Sequence, residues 1–219
     1  MNTLNFKPVF LGQCIIKYQV PLDIFTSINN IYEQNYNSLA PANGQLVGKI
    51  EKEHSLFYHG EDQTKMKNHN FLPKNITDYF MQVFNHYLNF NAIRDYKTHL
   101  NSIWINEMKQ HEYNPVHVHQ GSLFTGLSSV MILKLPKDYG LEYSASDKPH
   151  NGTLQILGNS SGQFSKIDYQ PILEERDFYV FPYDMRHTVY PFNSTDEVRR
   201  TLAANCDVDY NPINNRGAI

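Results

Sequence analysis

Val198-Arg-Arg-Thr-Leu-Ala-Ala-Asn-Cys-Asp-Val-Asp-Tyr210 is the stretch whose alternation sets the fold. In a β-strand, successive side chains point to opposite faces. Read with that period, Val198, Leu202, Ala204, Cys206 and Val208 share an apolar face, with Arg200 as the odd member. Arg199, Thr201, Ala203 and Asn205 share the other face. A strand apolar on one side and polar on the other packs a core outward and lines a pocket inward. Arg199 and Thr201 therefore point together into that pocket, and Arg200 points away. A bulge between Val198 and Thr201 would break the pleat and reverse these faces. The competing role for Arg199 is a surface arginine paired with Glu197 or Asp207.

Other β-segments precede this one. Leu100–Glu107, Gly126–Leu135, Gly152–Leu157, Asp177–Pro182 and Val189–Phe192 are short, apolar or alternating, and punctuated by Gly, Pro, Asn and Asp. Gly126–Leu135 is nearly continuous in apolar residues, as a strand buried on both faces requires. The first hundred residues have another texture. Leu22, Phe25, Ile28, Ile31 and Tyr32 follow helical spacing after Pro21, and Ile76, Tyr79, Phe80, Val83, Phe84, Tyr87 and Leu88 do so after Pro73. Each helix has one apolar stripe to lay on a sheet. Pro41–Asn70 is polar and reads as a long loop or an irregular strand pair; Gly158–Gly162 reads as a hairpin loop or lid. Helices first and strands later give a mainly β chain with N-terminal helices, a sandwich or barrel braced on one side.

The 219 residues suit one domain: a helical support region at 1–98 and a β core at 99–210. A net charge of −3 lacks the basic footprint of a nucleic-acid binder. No apolar run reaches membrane-spanning length, and the N-terminus lacks a basic segment followed by an apolar one. Cys14 and Cys206 are the only cysteines, which fits free thiols in a reducing cytoplasm.

The chemistry concentrates in a few residues. His117 and His119 are two apart, so on a strand they face one side. His187 follows in Phe181-Pro-Tyr-Asp-Met-Arg-His-Thr-Val-Tyr-Pro-Phe192. A third histidine from a distant strand completes a facial set with open metal positions. Alone, the His-x-His spacing is weak, and one such residue is often structural. Arg199 strengthens it, because a planar guanidinium grips a carboxylate with two parallel hydrogen bonds and Thr201 can add a third. Trp104 and Asn106 share a strand face and line the same cavity, unless Trp104 belongs to the core. Asp184 stands three residues before His187 and could orient it. His54, His59, His69 and His111 lie in polar stretches and read as solvated; His86, His99 and His150 form no comparable set. Glu174-Glu175 reads as a solvated turn.

Asn114-Pro-Val-His117-Val-His119, Thr125-Gly126, Phe181-Pro182, His187, Pro191 and Arg199-Arg-Thr201 together resemble the 2-oxoglutarate- and Fe(II)-dependent oxygenase superfamily, in the versions carried by bacteriophages. The resemblance spans Trp104–Asn205. It implies a double-stranded β-helix, the jelly-roll or cupin-like barrel. It also implies Fe(II) on His117 and His187, and Arg199 assisted by Thr201 on the distal carboxylate of 2-oxoglutarate. The activity implied is hydroxylation of an unidentified substrate, with a protein or peptide side chain as the expected class, coupled to O2-dependent decarboxylation of 2-oxoglutarate. A phage-encoded enzyme would work in the host cytoplasm. One departure matters: His119 stands where most members have Asp or Glu. Either it is a third ligand, or only two protein ligands bind, or it binds and His117 stands behind it. A three-histidine set also suits zinc. The alternatives to the oxygenase are therefore a cupin-like zinc or iron protein that does not use 2-oxoglutarate, and a non-catalytic jelly-roll binding module. Oligomeric state is open; a dimer could form through the helices or an edge strand.

Overall fold

The apolar stripes at the N-terminal end form the two helices expected of them. α1 spans Leu22–Asn35 and α2 spans Lys74–Phe90, each with a proline immediately before its first residue. Ile24, Ile28 and Tyr32 of α1 are buried, as are Ile76, Phe80, Val83, Phe84, Tyr87 and Leu88 of α2. The computed structural model describes residues 12–42, 47–61, 66–142, 149–158, 166–193 and 196–212. The loop expected at 158–162 lies, after Gly158, outside the described residues.

The strands are β1 (Ile16–Gln19), β2 (Ala40–Pro41), β3 (Lys52–Tyr58), β4 (His69–Asn70), β5 (Tyr96–Met108), β6 (Asn114–His117), β7 (Gly126–Lys134), β8 (Leu154–Leu157), β9 (Asp168–Tyr169), β10 (Asp177–Pro182), β11 (Arg186–Val189) and β12 (Arg199–Tyr210). They make two antiparallel sheets. The larger runs β1-β10-β7-β12-β5-β3-β2, with β4 paired to β3; the smaller runs β6-β11-β8-β9. Both helices cover the outer face of the larger sheet, where Phe80 meets Phe178 edge-on at 5.6 Å. The second core fills the space between the sheets with Val130, Ile132, Tyr179 and Phe181 from one and Leu154, Ile156 and Val189 from the other. β7 contributes to both cores, as its continuous apolar sequence requires.

β12 lies between β7 and β5 and keeps its pleat. The register with β5 is unbroken from Arg199↔Met108 to Asn205↔Ser102. An irregularity does occur opposite Arg200 and Thr201, but the extra residue, Leu133, belongs to β7. The faces expected from the sequence therefore hold, but Arg199, buried at the head of the inner face, is not among the residues that line the cavity. Leu202, Ala204, Cys206 and Val208 join the helix-side core, and Thr201, Ala203 and Asn205 line that cavity.

Three expectations need correction. In the segment 41–70 the strand alternative holds over the loop, and it goes further than a pair: β3 is an interior strand of the larger sheet, paired with β5 as well as with β2 and β4. Residues 1–98 thus supply sheet as well as helices. His54 and His69 are not solvated; each is partly buried and bonded, to the Tyr32 hydroxyl at 3.0 Å and to Ser55 Oγ at 2.9 Å. The strand expected at Val189–Phe192 begins at Arg186 and ends at Val189, before Pro191, which has no N–H to offer a ladder.

Arg200 turns to the helix side, as expected. Its Nε donates to Glu107 Oε1 at 2.9 Å, its Nη1 reaches Glu33, and its guanidinium lies 4.8 Å from the Tyr32 ring centre. Arg200→Ala would strand the buried Glu107 carboxylate. It should lower unfolding free energy by about 3 kcal/mol, measured as a shifted urea midpoint with an unchanged slope.

Candidate metal centre

Each histidine of the set is held by a different piece of the fold. His117 ends β6, and its Cα pairs with that of His187 on β11. His119 follows β6 in the next loop, where its backbone N–H donates to the Tyr183 carbonyl at 2.9 Å. That loop is fastened by Asp207 of β12, whose carboxylate accepts from Ser122 N–H at 3.0 Å, the Tyr183 hydroxyl at 3.1 Å and Asn101 Nδ2 at 3.3 Å. A Cβ on Gly121 would strike the same carboxylate, so only glycine lets the loop approach so closely.

The ring nitrogens are sorted. His117 Nδ1 donates to the Pro115 carbonyl at 2.7 Å, His187 Nδ1 to the Met185 carbonyl at 3.1 Å, and His119 Nδ1 to Asn205 Oδ1 at 3.0 Å. All three Nδ1 atoms are thereby protonated donors, which leaves a lone pair on each Nε2. Those lone pairs converge, with His119 Nε2 3.2 Å from His117 Nε2 and 3.1 Å from His187 Nε2. A divalent metal about 2.1 Å from each nitrogen would separate neighbouring ligands by about 3.0–3.4 Å between octahedral and tetrahedral angles. The three residues can therefore hold a metal ion, and among the described residues they form the only such cluster. Burial pushes the His187 pKa down to about 3, and holds His117 below and His119 well below the ordinary imidazole value. Neutral, ligand-competent imidazoles result. Trp104 stacks on His119, with ring centres 5.7 Å apart and planes at 21°.

Arg199 sits at the start of the same inner face of β12 and is 2% exposed. Its Nε and Nη2 have no hydrogen-bond partner. Desolvation drags its pKa down to about 10. The surface-pair alternative fails: Glu197 accepts from Lys137 N–H, and Asp207 holds the His119 loop. A buried guanidinium with free N–H groups costs stability unless an anion meets it. It fits a carboxylate-bearing ligand, and Thr201, itself buried, stands two residues along the same face.

The three histidines and Thr201 line one cavity of about 650 Å³, together with Trp104, Asn106 and Asn205. Trp104 is thus cavity wall, stacked on a histidine, rather than plain core. Asp184 does not orient His187; it accepts from Gln13 Nε2 at 2.6 Å, and the Met185 carbonyl does the orienting. Asp207 and Glu53 escaped the sequence reading. Asp207 was legible as the next inner-face residue after Asn205; Glu53 lay in a stretch that reads as loop or irregular strand pair.

Residues 102–205 match the family model described as "Putative 2OG-Fe(II) oxygenase". That span holds all three histidines, Arg199, Thr201 and Asn205. The match spans 104 of the 219 residues and likens this chain to the 2OG-Fe(II) oxygenases. Members of this family are oxidoreductases that use Fe(II), O2 and 2-oxoglutarate. Solved structures agree on the fold. A Pseudomonas putida prolyl-4-hydroxylase is 13% identical, with 91% of this chain and 93% of that one covered at a TM-score of 0.52. A prolyl hydroxylase from Trichoplax adhaerens, in complex with a hypoxia inducible factor oxygen degradation domain peptide fragment, is 12% identical over 90% and 83%, at 0.53. A non-heme alpha ketoglutarate dependent carbocyclase from nogalamycin biosynthesis is 12% identical over 92% and 83%, at 0.55. At such identity the likeness concerns the fold alone, the double-stranded β-helix. No curated protein matches the chain. Among the described residues, no helix is long and apolar enough to cross a membrane.

Asn205 is a positioning residue, since it fixes the tautomer and plane of His119. Asn205→Ala should weaken Fe(II) binding about 10–100-fold. Quenching of Trp104 fluorescence during anaerobic Fe(II) titration measures it, and a wild-type affinity would remove Asn205 from the site.

Proposed function

We propose that this oxygenase binds Fe(II) through His117, His119 and His187, holds 2-oxoglutarate through Arg199 and Thr201, and hydroxylates a substrate admitted by the shared cavity. The observation that carries this reading is Arg199, a fully buried guanidinium without a partner on the strand face that also bears Asn205, the anchor of His119. Nothing in the protein's own packing requires a cation there. A dicarboxylate would satisfy it, with Thr201 Oγ1 adding a donor to the same carboxylate.

In this reading His119 is the third ligand. Its Nε2 faces the other two, and its Nδ1 is committed to Asn205, so it stands level with His117 rather than behind it. Fe(II) with 2-oxoglutarate supplies the oxidant when bound. The chain's part is to aim three neutral imidazoles, fix the cosubstrate's far end and keep the reacting carbon near the metal while limiting water. A cavity of about 650 Å³, with Val47 and Val118 on its wall, has room for an amino-acid side chain or a small metabolite. The prolyl hydroxylases of the same fold make a peptide side chain a reasonable substrate to screen.

Three histidines without a carboxylate also suit zinc. That reading leaves Arg199 unexplained, and the iron reading is preferred for that reason.

Anaerobic titration with Fe(II) and then 2-oxoglutarate should give the visible charge-transfer band of a chelated keto acid. Arg199→Met should raise the 2-oxoglutarate Kd by about 30-fold or more, which corresponds to about 2 kcal/mol. Fe(II) affinity should stay within a few-fold. The same variant should unfold at an equal or higher temperature without ligands, because it replaces an unpaired buried charge with an unbranched apolar chain. Tight metal binding with no band in the unsubstituted protein would favour the zinc reading.

A further inference from the structure

The cavity has a second unsatisfied wall. β3 pairs with β5 and β5 with β12, so Glu53, Asn106 and Thr201 lie in one rung across the larger sheet. Glu53 is 4% exposed and lines the cavity, and its Oε1 has no hydrogen-bond partner. The Oδ1 atoms of Asn106 and Asn114, in the same wall, also lack partners. Three residues of this wall thus each keep a buried acceptor without a donor. Among the described residues that line the cavity there is no lysine or arginine; the charged ones are Glu53 and Glu61.

Glu53 is not a substitute for the missing metal carboxylate, because the cluster of converging ligand atoms contains the histidines alone. It also lies outside the segment that matches the family model. A carboxylate left in such a site raises its own pKa, here to about 7 by burial and the nearby Glu112. Burying it without a partner costs stability, and the ligand that recovers that cost brings N–H donors and positive charge.

We propose that Glu53 is a specificity residue of this oxygenase and that its substrate carries a cationic nitrogen group, an ammonium or a guanidinium, which Glu53 receives. Two strand spacings separate Glu53 from Thr201, about 10 Å between Cα atoms. The substrate would then be held by its charged end against β3. Its carbon chain would run along the Trp104 wall toward the histidines. The inference rests on the oxygenase reading only in calling the occupant a substrate.

Trp104 is the only tryptophan of the chain and lines the same cavity, so its fluorescence reports occupancy without metal or turnover. The test titrates the full chain, free of metal, with the Nα-acetyl amides of lysine, arginine, citrulline and norleucine. Lysine or arginine should bind about tenfold or more tighter than both neutral compounds. Glu53→Gln, which keeps shape and removes charge, should erase that preference, and Glu53→Asp should keep part of it. Equal binding of cationic and neutral compounds, no binding of any, or a preference that survives Glu53→Gln would overturn the proposal. The Fe(II)–2-oxoglutarate band, recorded separately on the unsubstituted protein, judges the oxygenase reading. That reading can therefore fail while cation discrimination stands, and the reverse.

Discussion

The unbroken alternation of β12 is the constraint on which the rest of the molecule depends. One strand must hand Leu202, Ala204, Cys206 and Val208 to the helices while aiming Arg199, Thr201 and Asn205 the other way. A single extra residue in it would exchange the two sets. The larger sheet does contain irregularities, but beside β12 they fall in its neighbours: Leu133 is the additional residue in β7, and Asn101 is the one skipped in β5. The twist and bend of the sheet are absorbed there, and the strand that carries the anion-binding end and the anchor of His119 stays in register.

The site is built at the expense of stability, and the expense is local. Most of the protein's buried polar side chains are bonded. Of the seven buried side-chain atoms left without a partner among the described residues, two belong to Arg199, three to Glu53, Asn106 and Asn114, one to Trp104 and one to Ser128. All but the Arg199 and Ser128 atoms belong to residues lining the cavity, and Arg199 shares its strand face. Clustering of this kind is what a binding site produces, because groups prepared for a ligand cannot also be satisfied internally.

Much of this was legible in the sequence, for reasons that also explain the failures. α1 and α2 repeat apolar residues at helical spacing and pack on one side only, so period and burial coincide. β12 alternates cleanly because one of its faces is core. The histidines, Arg199 and Thr201 were found from spacing, and the fold brings His117, His119 and His187 together. β3 reads ambiguously, as loop or irregular strand, because its alternation is masked: the inward positions Glu53 and Ser55 line a polar cavity, and outward His54 is bonded to Tyr32. A strand that serves a site on one face and a hydrogen bond on the other shows no hydrophobic period. Asp184 misled for the opposite reason. Its spacing from His187 suited an orienting carboxylate, but backbone carbonyls two residues before His117 and His187 did that work.

In the proposed three-histidine site, His119 in place of a carboxylate bears on charge rather than on ligand count. Three neutral imidazoles leave a divalent ion with its full charge, where the usual set would reduce it by one. Arg199 adds another positive group, and the two carboxylates of 2-oxoglutarate offset two of the three charges. The remaining imbalance has one buried carboxylate in the same cavity to answer it, Glu53, and it stands on the substrate wall instead of at the metal. Because it is not among the converging ligand atoms, it does not bond the ion as a direct ligand would. It acts strongly only on what enters the space beside it. Moving the negative charge from the metal to the wall converts a ligand into a point of recognition, and that makes the three-histidine site and the choice of substrate two parts of one arrangement.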